Sequence, residues 1–172
     1  VPKYEALPKD IEWHLIGHLQ SNKVKFIAPF VAMIHSVDSM KLLEEINRQA
    51  VKNQRVIDCL LQFKINDEET KFGLDLKEAF ALLESLSYPA LHNIRLCGVM
   101  GMASFVKDEE QIRSEFKTLK SIFDQLKARY FPNDPAFIEI SMGMSDDYPI
   151  AVEEGSTLVR IGTLLFGSRN YG

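Results

Sequence analysis

Short apolar runs rich in β-branched residues alternate with helix-spaced apolar stripes from one end of the chain to the other. The runs predict six strands, at residues 12–16, 32–37, 55–64, 94–100, 137–140 and 157–161. The clearest stripe lies in residues 109–130, where Ile112, Phe116, Leu119, Ile122, Phe123 and Leu126 recur at three- and four-residue intervals. A second helix is expected over residues 76–86, with Phe80, Leu83 and Leu86 on one side. A third carries Leu43, Ile46 and Ala50 behind a cap at Asp38 or Ser39. A short one over residues 146–154 stops at Gly155. These stripes read as surfaces that face a sheet. Strand and helix alternate without a linker or a compositional break, which is the α/β pattern of a parallel sheet in one domain spanning residues 1–172.

Six β/α units do not close a barrel, which needs eight strands. Either the sheet is open, or two units precede the chain. Residues 1–10, polar and with two prolines, read as the tail of an upstream helix or loop and favour the second option. On that count the last two strands become the seventh and eighth. The loops after those two build the phosphate site in many barrel enzymes. Composition narrows the choice of partner. A net charge of −4 with only a local basic pair, Lys23 and Lys25, excludes a protein that holds nucleic acid by general electrostatics. The uncharged stretch 26–37 is shorter than the roughly 20 apolar residues of a membrane span. Cys59 and Cys97 lie inside apolar runs and form no CxxC, so they read as reduced core residues of a cytoplasmic protein.

The candidate chemistry concentrates in residues 141–172. Ser145 offers a hydroxyl at a helix start, and Gly162-Thr163 offers backbone N–H groups at the end of the next strand, together suited to a phosphate dianion. Ser145 could equally serve as a helix cap. Asp146 and Asp147 would repel a phosphate unless they point away from it. Alternation puts Leu158, Arg160 and Gly162 on one face, so Arg160 can point inward while Val159 and Ile161 meet the helices. The competing reading pairs Arg160 with Glu139 on the neighbouring strand. His14 and His18 are four apart but fall in a strand and the loop beyond it, which argues against a shared metal. His35, expected at a strand end, could approach the barrel mouth but reads more simply as a loop-facing or hydrogen-bonded histidine. Gln20, Ser21 and Asn22 form a polar loop suited either to contact with a ligand or partner or to capping the next helix.

Two long segments, WHLIGHLQSNKVK at 13–25 and SMGMSDDYPIAVEEGSTLVRIGTLLFGSRNY at 141–171, closely resemble the pyridoxal 5′-phosphate homeostasis proteins, relatives of the barrel half of bacterial alanine racemase. IHSVDS at 34–39, EETKFG at 68–73 and GVMGM at 98–102 also fit. The resemblance covers essentially the whole chain. It implies a (β/α)8 TIM barrel of the alanine racemase N-terminal domain type, with about six of its eight units here, and pyridoxal phosphate as cofactor. The family holds the coenzyme on a lysine of its first strand, in a V-S-K motif. No such motif occurs here, so none of the lysines, Lys23 included, takes that role. Ser145, Gly162 and Thr163 fall where the family holds the coenzyme phosphate, and Arg160 where a guanidinium faces the pyridine nitrogen. An arginine donates there without giving up a proton, leaving the ring a weaker electron sink. The implied role is therefore a non-catalytic, cytoplasmic, monomeric carrier in vitamin B6 homeostasis, with apo-enzymes as recipients. The alternative is an amino-acid racemase, which needs a tyrosine from an additional domain. A sugar-phosphate barrel enzyme would use the same grip. A sheet lacking two strands is also expected to expose two long edges that invite pairing.

Overall fold

The computed structural model describes residues 1–66 and 72–167. The EETKFG segment up to Lys71 and the final SRNYG lie outside the described residues. Six strands form one parallel sheet in chain order, namely β1 (Trp13–Leu15), β2 (Val31–Val37), β3 (Ile57–Phe63), β4 (Ile94–Gly101), β5 (Glu139–Met144) and β6 (Leu158–Arg160). All six expected strands are present. The fifth is displaced, because Met142 and Gly143, expected in a turn, continue β5.

Among the described residues, seven α-helices connect or flank these strands: α1 (Pro2–Ala6), α2 (Val24–Ile27), α3 (Met40–Lys52), α4 (Leu76–Leu83), α5 (Glu109–Tyr130), α6 (Tyr148–Glu153) and α7 (Thr163–Phe166). Their ends follow from local chemistry. Ser39 caps α3 by accepting from the Leu42 N–H. Asp75 and Glu78 form a reciprocal capping box on α4. Asp108 accepts from the Glu110 and Gln111 N–H groups at the start of α5. α6 ends as expected at Gly155, whose φ of +93° lets Gly155 and Ser156 donate back to the carbonyls of Val152 and Ala151. α4 stops short of expectation, leaving Leu86 99% exposed instead of on its stripe.

Alternation along each strand divides the buried residues into two layers. Ile34, Cys59, Leu61, Phe63, Val99, Ile140 and Met142 face the helices and pack with Ile46, Leu82, Phe116, Leu119 and Leu126. Leu60, Cys97 and Met100, with Met33 and Met102, form a smaller apolar cluster on the opposite, concave face. The cysteines thus belong to different layers, and both are free thiols. Burial of the large apolar side chains, at about 2 kcal/mol for each Val, Leu, Ile, Phe or Met, is the main favourable contribution to this arrangement. β4 and β5 approach so closely at Gly98, φ +152°, that a Cβ there would lie 1.8 Å from the Glu139 carbonyl oxygen. Glycine is required at that position. β1 and β6, at the two ends of the strand order, are only three residues each, much shorter than the long edges expected. Among the described residues, no helix is long and apolar enough to cross a membrane.

Candidate functional site

Because every strand runs the same way, the segments after β1, β2, β4, β5 and β6 gather on one rim. Ser145 follows β5 there. Its Oγ accepts from the N–H groups of Gly162 at 3.2 Å and Leu164 at 3.4 Å, so it does not cap α6. The cap reading thus falls, and the hydroxyl is turned across to the segment after β6. Asp147 occupies the position before α6, is 8% exposed, and accepts from the Met144 N–H at 2.6 Å. Asp146 is exposed. Gly162 and Thr163 begin the short α7, and Thr163 is exposed. A Cβ on Gly162 would meet nothing within 4 Å, and its φ of −119° is open to any residue. Glycine here leaves open space beside the Ser145 hydroxyl instead of relieving strain.

Arg160, at the end of β6, turns to the concave face, as alternation predicts. Its Nη1 donates to Ser141 Oγ at 2.9 Å and its Nη2 to the Gly101 carbonyl at 3.0 Å. Its Nε is buried and has no hydrogen-bond partner among the described residues. Pairing with Glu139 does not occur, since that carboxylate accepts from Thr157 Oγ1 at 2.5 Å. Burial lowers the guanidinium pKa to about 10, with Asp147 opposing the shift, so the group stays charged at neutral pH.

The network extends beyond Arg160. His35 lies within β2, not at its end, and is 2% exposed. Its Nδ1 is 2.9 Å from Ser141 Oγ, and its Nε2 is 3.0 Å from His14 Nδ1. Desolvation, with smaller contributions from His14 and Arg160, lowers its pKa to about 3 and keeps it neutral. His18 goes elsewhere, stacking on Phe72 with ring centroids 3.9 Å apart and lying 3.6 Å from Asp38. Ser21, Asn22 and Lys23 form a 3₁₀ turn that leads into α2, and no side chain of this loop caps either element. Sequence reasoning missed Ser141 and the Gly101 carbonyl as partners of Arg160. The signal available was the outward pair Ile140 and Met142, which puts Ser141 inward. An apolar cleft of about 470 Å³ between α1 and β1 is lined by Tyr4, Trp13 and Phe30 and takes in His14, the far end of this network, but none of Ser145, Arg160, Gly162 or Thr163.

Comparison with known proteins follows this geometry. The sequence profile described as alanine racemase, N-terminal domain, matches residues 6–170. A protein of Aquifex aeolicus named pyridoxal phosphate homeostasis protein is 43% identical over 98% of this chain and 72% of its own length. The chain belongs to the pyridoxal phosphate homeostasis protein family. A Haemophilus influenzae family member is 35% identical over 98% of this chain and 69% of its own length. PipY of Synechococcus elongatus, solved with pyridoxal phosphate bound, superposes with a TM-score of 0.84 at 35% identity, covering 96% of this chain and 74% of PipY. The curled parallel sheet is accordingly part of a (β/α)8 barrel of the alanine racemase N-terminal type.

The residues here fit the family's coenzyme on two counts. Arg160 keeps one buried N–H donor unused, which suits an unprotonated ring nitrogen. The space beside Gly162 is open, and the hydroxyl of Ser145 and the Gly162 and Leu164 N–H groups that donate to it stand at its edge, the kinds of donor a phosphate takes when they turn to it.

Proposed function

We propose that this chain binds pyridoxal 5′-phosphate on the rim formed by β5 and β6 and acts in holding and releasing the coenzyme, within vitamin B6 homeostasis. Arg160 carries the reading. Two of its nitrogens are anchored to Ser141 and Gly101, and the third is a buried donor without a partner. A buried, unused N–H costs about 1–3 kcal/mol, and an acceptor on the ligand removes that cost. Ser145, Gly162 and Thr163 hold the phosphate. Asp146 faces solvent, and the charge of the buried Asp147 carboxylate, which accepts from the Met144 N–H, is opposed by the Arg160 guanidinium on which it acts.

Pyridoxal phosphate supplies an aldehyde and an electron-withdrawing ring. A permanently charged arginine at the ring nitrogen donates without transferring its proton, so the ring withdraws electrons weakly and amino-acid turnover is disfavoured. The protein is thus a non-catalytic carrier, with apo-enzymes as recipients and a monomeric whole protein in the cytoplasm. The likeness to the homeostasis proteins and to PipY supports this role.

The test uses pyridoxine 5′-phosphate, which has no aldehyde and needs no lysine. It is expected to bind at least about tenfold more tightly than pyridoxine or ribose 5-phosphate, reflecting loss of one charged contact in each competitor. Equal or tighter binding of the sugar phosphate would overturn the assignment. Incubation with pyridoxal phosphate and L-alanine is expected to yield no D-alanine. Racemisation that disappears in Arg160→Ala would replace the carrier reading with an enzymatic one.

A further inference from the structure

We infer that Ser141 and His35 are positioning residues for Arg160, forming a hydrogen-bonded chain from His14 that fixes the guanidinium so that its Nε–H meets the ring nitrogen of the ligand. The inference rests on the coenzyme reading above and extends it to residues that touch no ligand. Three observations on geometry carry it. Ser141 is fully buried in mid-strand, where an unpaired hydroxyl would be costly, and it contacts both Arg160 and His35 at 2.9 Å. His35 is buried with both ring nitrogens engaged, one on Ser141 and the other 3.0 Å from His14. The Gly101 carbonyl takes the second Nη of Arg160 at 3.0 Å, so the planar group is pinned at two nitrogens and only Nε remains.

Proton counting gives the chain a direction. A neutral imidazole has one donor and one acceptor nitrogen, and a hydroxyl has one proton to give. If Arg160 donates to Ser141, the serine can give its own proton to His35 Nδ1. His35 then carries its hydrogen on Nε2 and donates to His14 Nδ1. Every proton is used. With the opposite polarity, Ser141 would receive from both Arg160 and His35 while its own proton lacked an acceptor within this chain. The neutrality of His35, buried beside Arg160, agrees with the first arrangement. The other charged group acting on Arg160 is Asp147, whose Oδ1 is engaged by the Met144 N–H. Hydrogen bonds arranged head to tail reinforce one another in a low-dielectric interior.

Two arms test the proposal. Without ligand, the Arg160 Nε–H signal in 1H–15N spectra, assigned by its loss in Arg160→Lys, is expected to be protected from exchange in the parent chain, in Ser141→Thr and in His35→Asn. The asparagine amide can stand in for Nδ1. In Ser141→Ala and His35→Leu, exchange is expected to accelerate about tenfold, the effect of one lost hydrogen bond. With 15N-labelled pyridoxine 5′-phosphate bound, the ring nitrogen is expected to stay unprotonated to lower pH in the first group. In the second, it titrates about one pH unit higher. A purely structural role would change melting temperature and affinity but leave both the exchange and the ring-nitrogen profile at parent values, which would overturn the inference. If the labelled ligand fails to bind the parent chain, the coenzyme reading fails. The ligand-free arm still decides whether Ser141 and His35 hold Arg160.

Discussion

Replacing Gly162 by alanine adds one methyl group beside the Ser145 hydroxyl and disturbs nothing on which folding depends. The backbone there, at φ −119° and ψ −70°, is not left-handed, and the new Cβ meets no atom within 4 Å. Alanine in place of glycine lowers the entropy of the unfolded chain, so stability should hold or rise by about 0.4–1 kcal/mol. Binding should respond differently. The Gly162 N–H points at Ser145 Oγ from 3.2 Å and borders the space assigned to the phosphate. A methyl group filling that space denies an anionic oxygen its approach to the N–H. One hydrogen bond to a charged group contributes about 1.5–3 kcal/mol. Affinity for pyridoxine 5′-phosphate should therefore fall roughly tenfold to a hundredfold. Calorimetric titration measures the affinity, and urea unfolding of the same samples measures the stability. A Gly162→Ala chain with unchanged unfolding midpoint and affinity within twofold of the parent would refute the placement of the phosphate.

Gly98→Ala should behave in the opposite way: with a Cβ 1.8 Å from the Glu139 carbonyl oxygen and φ at +152°, it should cost about 3–5 kcal/mol, read as a large drop in urea midpoint or loss of soluble protein. The pH dependence of stability should carry the signature of His35. Its pKa falls from an ordinary 6.5 to about 3 on folding, so the unfolded chain binds the extra proton first. The associated stability is complete above pH 6.5 and is lost progressively as pH falls towards 3, by roughly 2 kcal/mol at pH 5. His35→Asn should flatten the slope between pH 6.5 and 5 in denaturant titrations, and an unchanged slope would contradict the burial argument.

The strands and long helices were legible because their periodicities are strong. α5 runs from Glu109 to Tyr130 as its stripe predicts, and five of the six strands lie where apolar runs place them. β5 was misjudged at its end because Ser141 and Gly143 interrupt the run. The glycine is there for a close approach of α6, since a Cβ would lie 2.6 Å from the Ala151 methyl. Of the site, only the inward direction of Arg160 followed from alternation; its role came from the family resemblance, and alternation left a pairing with Glu139 open. The anchors of Arg160 were not legible, because Ser141, His35 and Gly101 belong to strands 19 to 125 residues away in sequence, and only the curl of the sheet brings them together. Ser145 could not be resolved from the sequence, where the same serine can cap a helix or offer its hydroxyl to a phosphate, and its contact with the segment after β6 was not foreseen.

His14 and Arg160 sit on the first and last strands of the sheet, and the line of hydrogen bonds between them passes through Ser141 and His35 across the concave face. A load placed on either margin, whether from further chain or from another protein, is thus transmitted to the guanidinium. Thermodynamic reciprocity then requires the converse. Any partner whose docking at β1 or β6 shifts this line will change how tightly the ligand is held, and the ligand will change the grip on that partner by the same factor.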